Sequence, residues 1–438
     1  MPPNYSWLPF SQAVVALSQR LYDSGMVFTV DAEQKIYLRQ ALRMFNALTC
    51  TWKQDYAFNP STPWNSLGSL TGSPRLRTLT DTDCYTQMEH MLLEPASGGT
   101  WTGTPQFDIG TMASALQRCR DEVLKVSNCN QQLVANIPSA PNTRRTALPD
   151  NVIEVARVRF IPAVGYGNPV ALYRDDTVAQ EFYEPGFWQE SGTPQTFMLS
   201  SEPPLAWNVD LAPNVPGSYE AVELQSGTQF APPASTLLNV PDDFMWVLIW
   251  GALADLLGRE SEATDRQRSD YCLKRYLDGL TLLLKTPWIM LAKINGQAVT
   301  NVSIANADRY SPGWDLNSSA MPFIVTGGVD FFACPAGGNS IGLTVLGNAP
   351  VPVFDDDPVQ VSRANWDTVL DLAQVLAGFK MGGEEFQDLQ EVEQRAIQAC
   401  AAENSRLKST GAFSDILMQR GGAQHREQNR YNTAQAKG

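Results

Sequence analysis

Apolar residues in the first third of the chain recur at helical spacing. Leu38, Ala41, Leu42, Phe45, Leu48 and Trp52 share one face of a segment running from about Asp31 to Lys53, which predicts an amphipathic helix. A shorter helix precedes it, with Ser11 as N-cap and Gly25 as the stop just after Ser24. A loop rich in Pro, Ser, Thr and Gly spans Asn59 to Pro74. A third helix is predicted over Thr82 to Glu94, stopped by Pro95 and the glycines at 98 and 99. The fourth covers Ile109 to Val126 and turns Met112, Leu116, Cys119, Val123 and Val126 inward. Four such stripes hide from water only against one another, so residues 1–148 read as the N-terminal part of a helical bundle.

The pattern shortens at Leu148-Pro149-Asp150. Val152–Phe160, Thr196–Leu199, Ala206–Leu211 and Tyr219–Leu224 are β-prone runs punctuated by Pro and Gly, predicting a small antiparallel sheet or sandwich over 149–240. Helix returns after Val240-Pro241-Asp242-Asp243, where Asp242 or Asp243 is positioned to cap Phe244–Leu257 and Gly258 ends it. A partner helix follows from Thr264 to Lys285, with Tyr271, Tyr276, Leu277, Leu280, Leu283 and Leu284 expected inside, so 241–288 holds the central helices.

A second β-rich module occupies 289–360, mainly Ile289 to Phe354. The C-terminal helices of 361–410 are Trp366–Lys380, carrying Val369, Leu370, Ala373, Leu376 and Ala377 inward, and the more polar Glu384–Lys408. Residues 411–438 have few apolar side chains and a basic excess, which predicts a flexible tail and a candidate docking segment on an acidic neighbour. The fold class that follows is α+β: one helical bundle assembled from N-terminal, central and C-terminal helices, with two β-rich, sandwich-like modules inserted.

Composition narrows the function. The 438-residue chain is 43% hydrophobic, enough for a substantial core, and its formal net charge of −14 argues against a surface that grips duplex phosphates. Acidity serves solubility, and it also leaves a polyanion mobile beside the surface. The seven cysteines, at 50, 84, 119, 129, 272, 334 and 400, form no CxxC pair and read as reduced thiols of a cytosolic product. The N-terminal residues Met1-Pro2-Pro3-Asn4-Tyr5 have neither the basic nor the apolar region of a secretory signal. The most apolar run, Phe244 to Ala254, is too short to span a bilayer.

Candidate chemistry is sparse. His90 and His425 are the two histidines; the first sits on a helix beside Met91 and Leu92 and reads as structural, the second lies in the polar tail. No thiol has the neighbours of a zinc site, and no GxxxxGK[ST] phosphate loop is present. Gly165-Tyr166-Gly167 reads as a turn, and Asp175-Asp176 as a turn or cap. Asp355-Asp356-Asp357 is dense enough to attract Ca²⁺ or Mg²⁺, but it lacks the spacing of a calcium loop and is followed by Pro358, so a solvated loop is the simpler reading. The paired carboxylates of a glycosidase are set in space, and eleven tryptophans keep a carbohydrate-binding or carbohydrate-active protein as an alternative. Trp52, Trp246 and Trp250, however, fall on apolar helix faces, where core packing accounts for them. No residue is assigned a catalytic, cofactor-binding or metal-ligating role.

Three stretches, taken in order, resemble the head-to-tail adaptor (connector, tail tubular A-like) proteins of tailed bacteriophages. They are Leu38-Arg39-Gln40-Ala41-Leu42-Arg43-Met44-Phe45-Asn46-Ala47-Leu48 with Trp52 beyond it; Gly192-Thr193-Pro194-Gln195-Thr196-Phe197 with Val209, Leu211, Pro213 and Tyr219-Glu220-Ala221-Val222; and Val240-Pro241-Asp242-Asp243-Phe244 leading into Trp250-Gly251-Ala252-Leu253-Ala254-Asp255-Leu256-Leu257. Asp265-Arg266-Gln267-Arg268 to Tyr271-Cys272 and the helix after it extend the likeness over roughly 30–290. The resemblance implies a virion structural protein of the neck or tail, assembled in the host cytoplasm and without enzymatic activity or cofactor. It implies a ring of identical copies, commonly dodecameric, between the portal protein and the tail tube or nozzle protein. DNA would pass through the lumen during ejection without specific binding, and no membrane is involved. Another neck, nozzle or baseplate protein is the alternative within the same particle. Glu384–Lys408 and residues 409–438 are the expected partner-binding region, such that deletion of 411–438 spares folding and impairs docking.

Overall fold

The structure, a computed structural model, describes residues 5–59, 64–66, 76–93, 106–200, 205–259, 265–304, 306–307, 323–326, 329–334 and 340–409. The expected tail at 411–438, with His425, lies outside the described residues, as does most of the Asn59–Pro74 loop. The fold is mixed α+β, with nine α-helices among the described residues, a nearly closed seven-stranded barrel and four-stranded sheets.

The helices are α1 (Phe10–Arg20), α2 (Asp31–Thr49), α3 (Asp81–Leu92), α4 (Ile109–Ser127), α5 (Thr177–Tyr183), α6 (Met245–Gly258), α7 (Arg266–Lys285), α8 (Arg363–Gly378) and α9 (Gly383–Ser409). Helix α2 packs on α1, α8 and α9, and α6 packs on α7 and α4, so N-terminal, central and C-terminal helices share one bundle. The ends of α1 and α2 differ from their sequence-based limits. Helix α1 stops at Arg20 because Ser18 Oγ donates to the Asp23 carbonyl and the Asp23 carboxylate accepts the N–H groups of Val27, Phe28 and Thr29, closing a tight loop. Helix α2 stops at Thr49 because Cys50 adopts the left-handed conformation, φ 54°, which leaves Lys53 free to enter a strand.

The strands are β1 (Lys53–Phe58), β2 (Trp64–Ser66), β3 (Gln131–Ser139), β4 (Arg145–Ala147), β5 (Val152–Pro162), β6 (Val170–Arg174), β7 (Ser191–Gly192), β8 (Thr196–Leu199), β9 (Ala206–Val209), β10 (Ala212–Pro213), β11 (Gly217–Gln225), β12 (Ile289–Ile294), β13 (Gln297–Ala298), β14 (Thr300–Ser303), β15 (Phe323–Thr326), β16 (Asp330–Cys334) and β17 (Ile341–Leu346). The barrel runs in the order β3-β11-β5-β6-β8-β9-β4 and begins at Gln131, ahead of the change of pattern at Pro149. Val155, Val158, Phe160, Leu172, Phe197, Trp207, Val209 and Tyr219 fill its interior. Of the expected sheet or sandwich, the chain forms one rolled sheet, whose β6 and β8 pair in parallel while its other pairings are antiparallel. Strands β3 and β4 show too little alternation to be read: β3 contains Pro138 and a positive-φ Asn136, and its consecutive Ala135 and Asn136 are both exposed.

The 289–360 region does not stand apart. Strand β17 pairs with β1 on one side and with β12 on the other, and β2 pairs with β16, so two strands from the N-terminal region complete its sheets. Ile289, Ile294, Leu343 and Val345 join the same continuous core as the bundle helices. Against the barrel, Val222 and Leu133 pack with Ile304, Ala307, Phe332 and Trp64.

Candidate functional surfaces

The pentapeptide Val240–Phe244, expected to supply a helix cap, supplies a buried joint. Asp242–Phe244 form a short 3-10 turn and α6 starts at Met245, with no side-chain cap from either aspartate. Asp242 Oδ1 accepts the backbone N–H groups of Thr78 at 2.7 Å and Leu79 at 3.0 Å, while Oδ2 accepts from Thr78 Oγ1 and Asn348 Nδ2. Asp243 accepts from Asn46 Nδ2 at 2.5 Å and from the Ala349 N–H. The Asn46 amide also donates to the Gly347 carbonyl, and its oxygen receives the Trp52 N–H. Three separate chain segments thus meet on two adjacent carboxylates. Burial pushes the Asp243 carboxyl up to about 7, with the bonds from Asn46 and Ala349 pulling the other way. Such a joint is architectural.

Ion pairs repeat the theme. Lys380 Nζ, just after α8, contacts both oxygens of Glu33 on α2, at 2.8 and 2.9 Å. Asp371 on α8 holds Arg20 of α1 at 2.6 Å and Arg395 of α9 at 3.1 Å. Glu393 on α9 accepts from Tyr271 Oη at 2.8 Å and pairs with Arg275, both on α7. These links clamp the C-terminal helices to the rest of the bundle.

The surfaces open to solvent have a different character. Between β6 and β8 the chain leaves the barrel as an arm. Asp176 caps α5 by accepting from the N–H groups of Val178 and Ala179, and Gly186, at φ 85°, turns the chain after Pro185. The arm is rooted at both ends by the parallel pairing of Tyr173 with Thr196 and of Arg174 with Phe197, and by Arg144, which donates to the carbonyls of Glu190 and Asp210. No residue of α5 is buried. Val178 is 77%, Phe182 79%, Tyr183 80% and Trp188 51% exposed, a concentration of apolar surface that a solitary chain rarely shows to water. Residues 175–190 carry Asp175, Asp176, Glu181, Glu184 and Glu190 and no basic residue.

Helix α7 also presents apolar surface. Leu277 and Leu284, expected inside, are 52% and 59% exposed and line up with exposed Leu273 along the outer face. The amphipathic stripe of this helix is wider than its buried half, because α6 covers only the side of Tyr276, Leu280 and Leu283. Beside this face lies a groove of about 370 Å³ between α2, α6, α7 and α9, lined by Met44, Leu48, Trp246, Leu282, Ile397 and Lys285 and reaching the Arg275–Glu393 pair.

The other positions singled out by sequence do not converge. Gly165 and Gly167 have positive φ in a turn, as read. Asp355 pairs with Lys35 at 2.7 Å, and Asp357 accepts the N–H groups of Val353 and Phe354, so the three acids form a solvated loop. His90 is half-buried in the last turn of α3. Trp52, Trp246 and Trp250 are in the core, Trp52 just beyond the end of α2. Among the described residues no three His, Cys, Asp or Glu side chains are placed to hold a metal ion, and no helix is long and apolar enough to cross a membrane. The arm was missed in sequence because it lies in a polar stretch; Phe182-Tyr183 amid carboxylates was its one signal.

No protein-family model matches the chain, and no curated protein sequence matches it.

Proposed function

We propose that this chain is a structural subunit of a tailed-bacteriophage virion, an adaptor that forms a ring between the portal and the tail tube or nozzle. The observation that carries this reading is the grouping of exposed apolar side chains on separate parts of a well-packed body: the arm at Val178, Phe182, Tyr183 and Trp188, the outer face of α7 at Leu273, Leu277 and Leu284, and the loop at Val27 and Phe28. Large apolar groups left in water at several sites favour a subunit whose neighbours cover them. The rigid clamps at Asp242–Asp243, Lys380–Glu33 and Arg275–Glu393 suit a part that must hold its shape under load. A net charge of −14 per copy suits a conduit from which phosphates slide away. The adaptor-like segments lend the same reading further support: Asn46 lies in the first of them and Asp243 in the third, and the two residues meet.

The test is a symmetry-resolved image of the virion neck with this chain labelled. Label between portal and tail tube, in a closed ring, is the expected result. Label in a baseplate or on a nozzle tip would move the protein to another structural role, and its absence from particles would end the proposal.

A further inference from the structure

Two surfaces of this one chain are apolar and carry opposite charges at their exposed edges, and the inference drawn from them rests on the adaptor reading. The first is the arm, whose exposed Phe182 and Tyr183 stand edge to face with ring centroids 5.5 Å apart. They are set among the five carboxylates of residues 175–190. The second is the groove between α2, α6, α7 and α9. Its volume of about 370 Å³ lies at the lower end of the range, ~300–1,000 Å³, in which proteins hold small organic groups. Met44, Leu48, Leu282 and Ile397 make its lining apolar. Trp246 in that lining is 5% exposed, and its indole N–H has no acceptor among the described residues. A buried donor without a partner is costly, and an incoming carbonyl or carboxylate relieves it.

The charged groups lining the groove are Asp278 and Glu393 with Arg275 and Lys285, so the positive charge that can meet the acidic arm sits on exposed lysines at its rim. Helix α7 carries Arg266, Arg268, Lys274, Arg275 and Lys285 against Asp270 and Asp278, on a chain that is acidic as a whole. Within that set, Arg268 is paired with Asp265 and Arg275 with Glu393 and Asp278, while Lys274 and Lys285, about three helical turns apart, are exposed on one face beside the leucine row.

We infer that the groove beside α7 receives the α5 arm of a second copy of this chain, with Phe182 or Tyr183 seated against Trp246 and with Glu181 and Glu184 facing Lys274 and Lys285. The contact joins unlike surfaces, so each copy gives an arm and receives one. Repetition of such a heterologous contact builds a ring when the rotation closes. The apolar insertion supplies affinity, and the rim charges select the acidic arm and set its register.

The experiment uses full-length chain, half of it isotopically heavy, mixed and brought to increasing concentration, then joined by a zero-length carbodiimide. The expected products are light–heavy cross-links from Glu181 or Glu184 to Lys274 or Lys285. Phe182→Asp, on a helix with no buried residue, is expected to weaken association about thirtyfold or more, as the loss of an interface anchor does. Glu184→Lys and Lys285→Glu are each expected to weaken it about tenfold. An equal mixture of those two variants is expected to recover wild-type association, because every arm then has a complementary groove. Oligomers that form without these cross-links, and that ignore all three substitutions, would overturn the inference and leave the adaptor reading standing. A chain that stays monomeric at every concentration overturns it as well, and the adaptor reading is then judged by the neck image alone.

Discussion

Asn46 of α2 donates its side-chain amide to the Asp243 carboxylate at 2.5 Å, across 197 residues of chain. Around that bond the first helix pair, the central helix pair and the exit of β17 are held in one register. Removing the carboxylate leaves the Asn46 amide and the Ala349 N–H short of an acceptor in a buried place. Asp243→Ala is therefore expected to cost about 2–6 kcal/mol, at about 1–3 kcal/mol for each of the two stranded donors. Chemical denaturation against the wild type measures it, and a loss below half a kcal/mol would show the joint to be dispensable.

The same carboxyl gives stability a pH dependence of definite sign. With its folded pKa raised to about 7 from an ordinary value of 3.8, the native state keeps a proton that the unfolded chain has released. Its contribution is full below about pH 4, falls by roughly 1.4 kcal/mol per pH unit as pH rises toward 7, and is flat above that. Asp243→Asn is expected to remove this slope. The difference between variant and wild type, measured at pH 5 and pH 8, isolates it from the other carboxylates.

Glu393 is nearly solvent-free, and burial pushes its carboxyl up while Arg275 and Tyr271 pull it down. Glu393→Gln leaves the buried Arg275 with only the more exposed Asp278, at 3.5 Å, as counter-charge and is expected to cost about 3–5 kcal/mol. Replacing both, as Arg275→Met with Glu393→Leu, is expected to be far milder than the single change, since no charge remains to be compensated. Equal losses for single and double variants would show that packing, not charge, governs the α7–α9 contact.

Gly251 on α6 faces the crossing with α4 and α7. A Cβ there would sit 2.8 Å from Cys119 Sγ and 2.8 Å from Tyr276 Cδ2. Gly251→Ala is expected to destabilise by about 1–3 kcal/mol through overpacking, partly offset by alanine's better helix propensity of about 1 kcal/mol. Adding Cys119→Ala frees one of the two contacts, so the pair is expected to be less damaging than the sum, which a double-mutant cycle reads directly.

Cys50, Cys84, Cys119, Cys129, Cys272 and Cys400 are all buried and form no disulfide with one another. Burial pushes the thiols of Cys119, Cys129 and Cys400 up to about 12, so the nucleophilic thiolate is scarce at neutral pH. Peptide-mapped maleimide labelling is expected to leave these six unmodified in the native protein and to modify all of them in denaturant. Native labelling at any of the six would reveal local opening of the core around it.

The bundle was readable because its signal is local and repetitive. Val369, Leu370, Ala373, Leu376 and Ala377 lie inside as their spacing requires, and so do Leu38, Ala41, Leu42 and Phe45. Strands β5, β8, β9 and β11 were readable for the same reason, and so were the turns at Gly165–Gly167 and the cap at Asp176. Where polar residues do the work, the local pattern misleads: Asp242 and Asp243 look like a helix cap from their neighbours and turn out to serve residues 46, 78, 79, 348 and 349.

Taken alone, then, the order of residues determined which segments are helical or extended and which faces are apolar, because periodicity is a property of nearest neighbours along the chain. Only the tertiary structure decided which apolar faces find cover. It rolled the first β region into a barrel by recruiting β3 and β4, drew β1 and β2 into sheets with strands of the 289–360 region, and left Leu277, Leu284, Phe182 and Tyr183 in water. Those outcomes depend on pairings between residues tens to hundreds of positions apart, and a stripe of leucines reads the same whether its partner is the same chain or another copy.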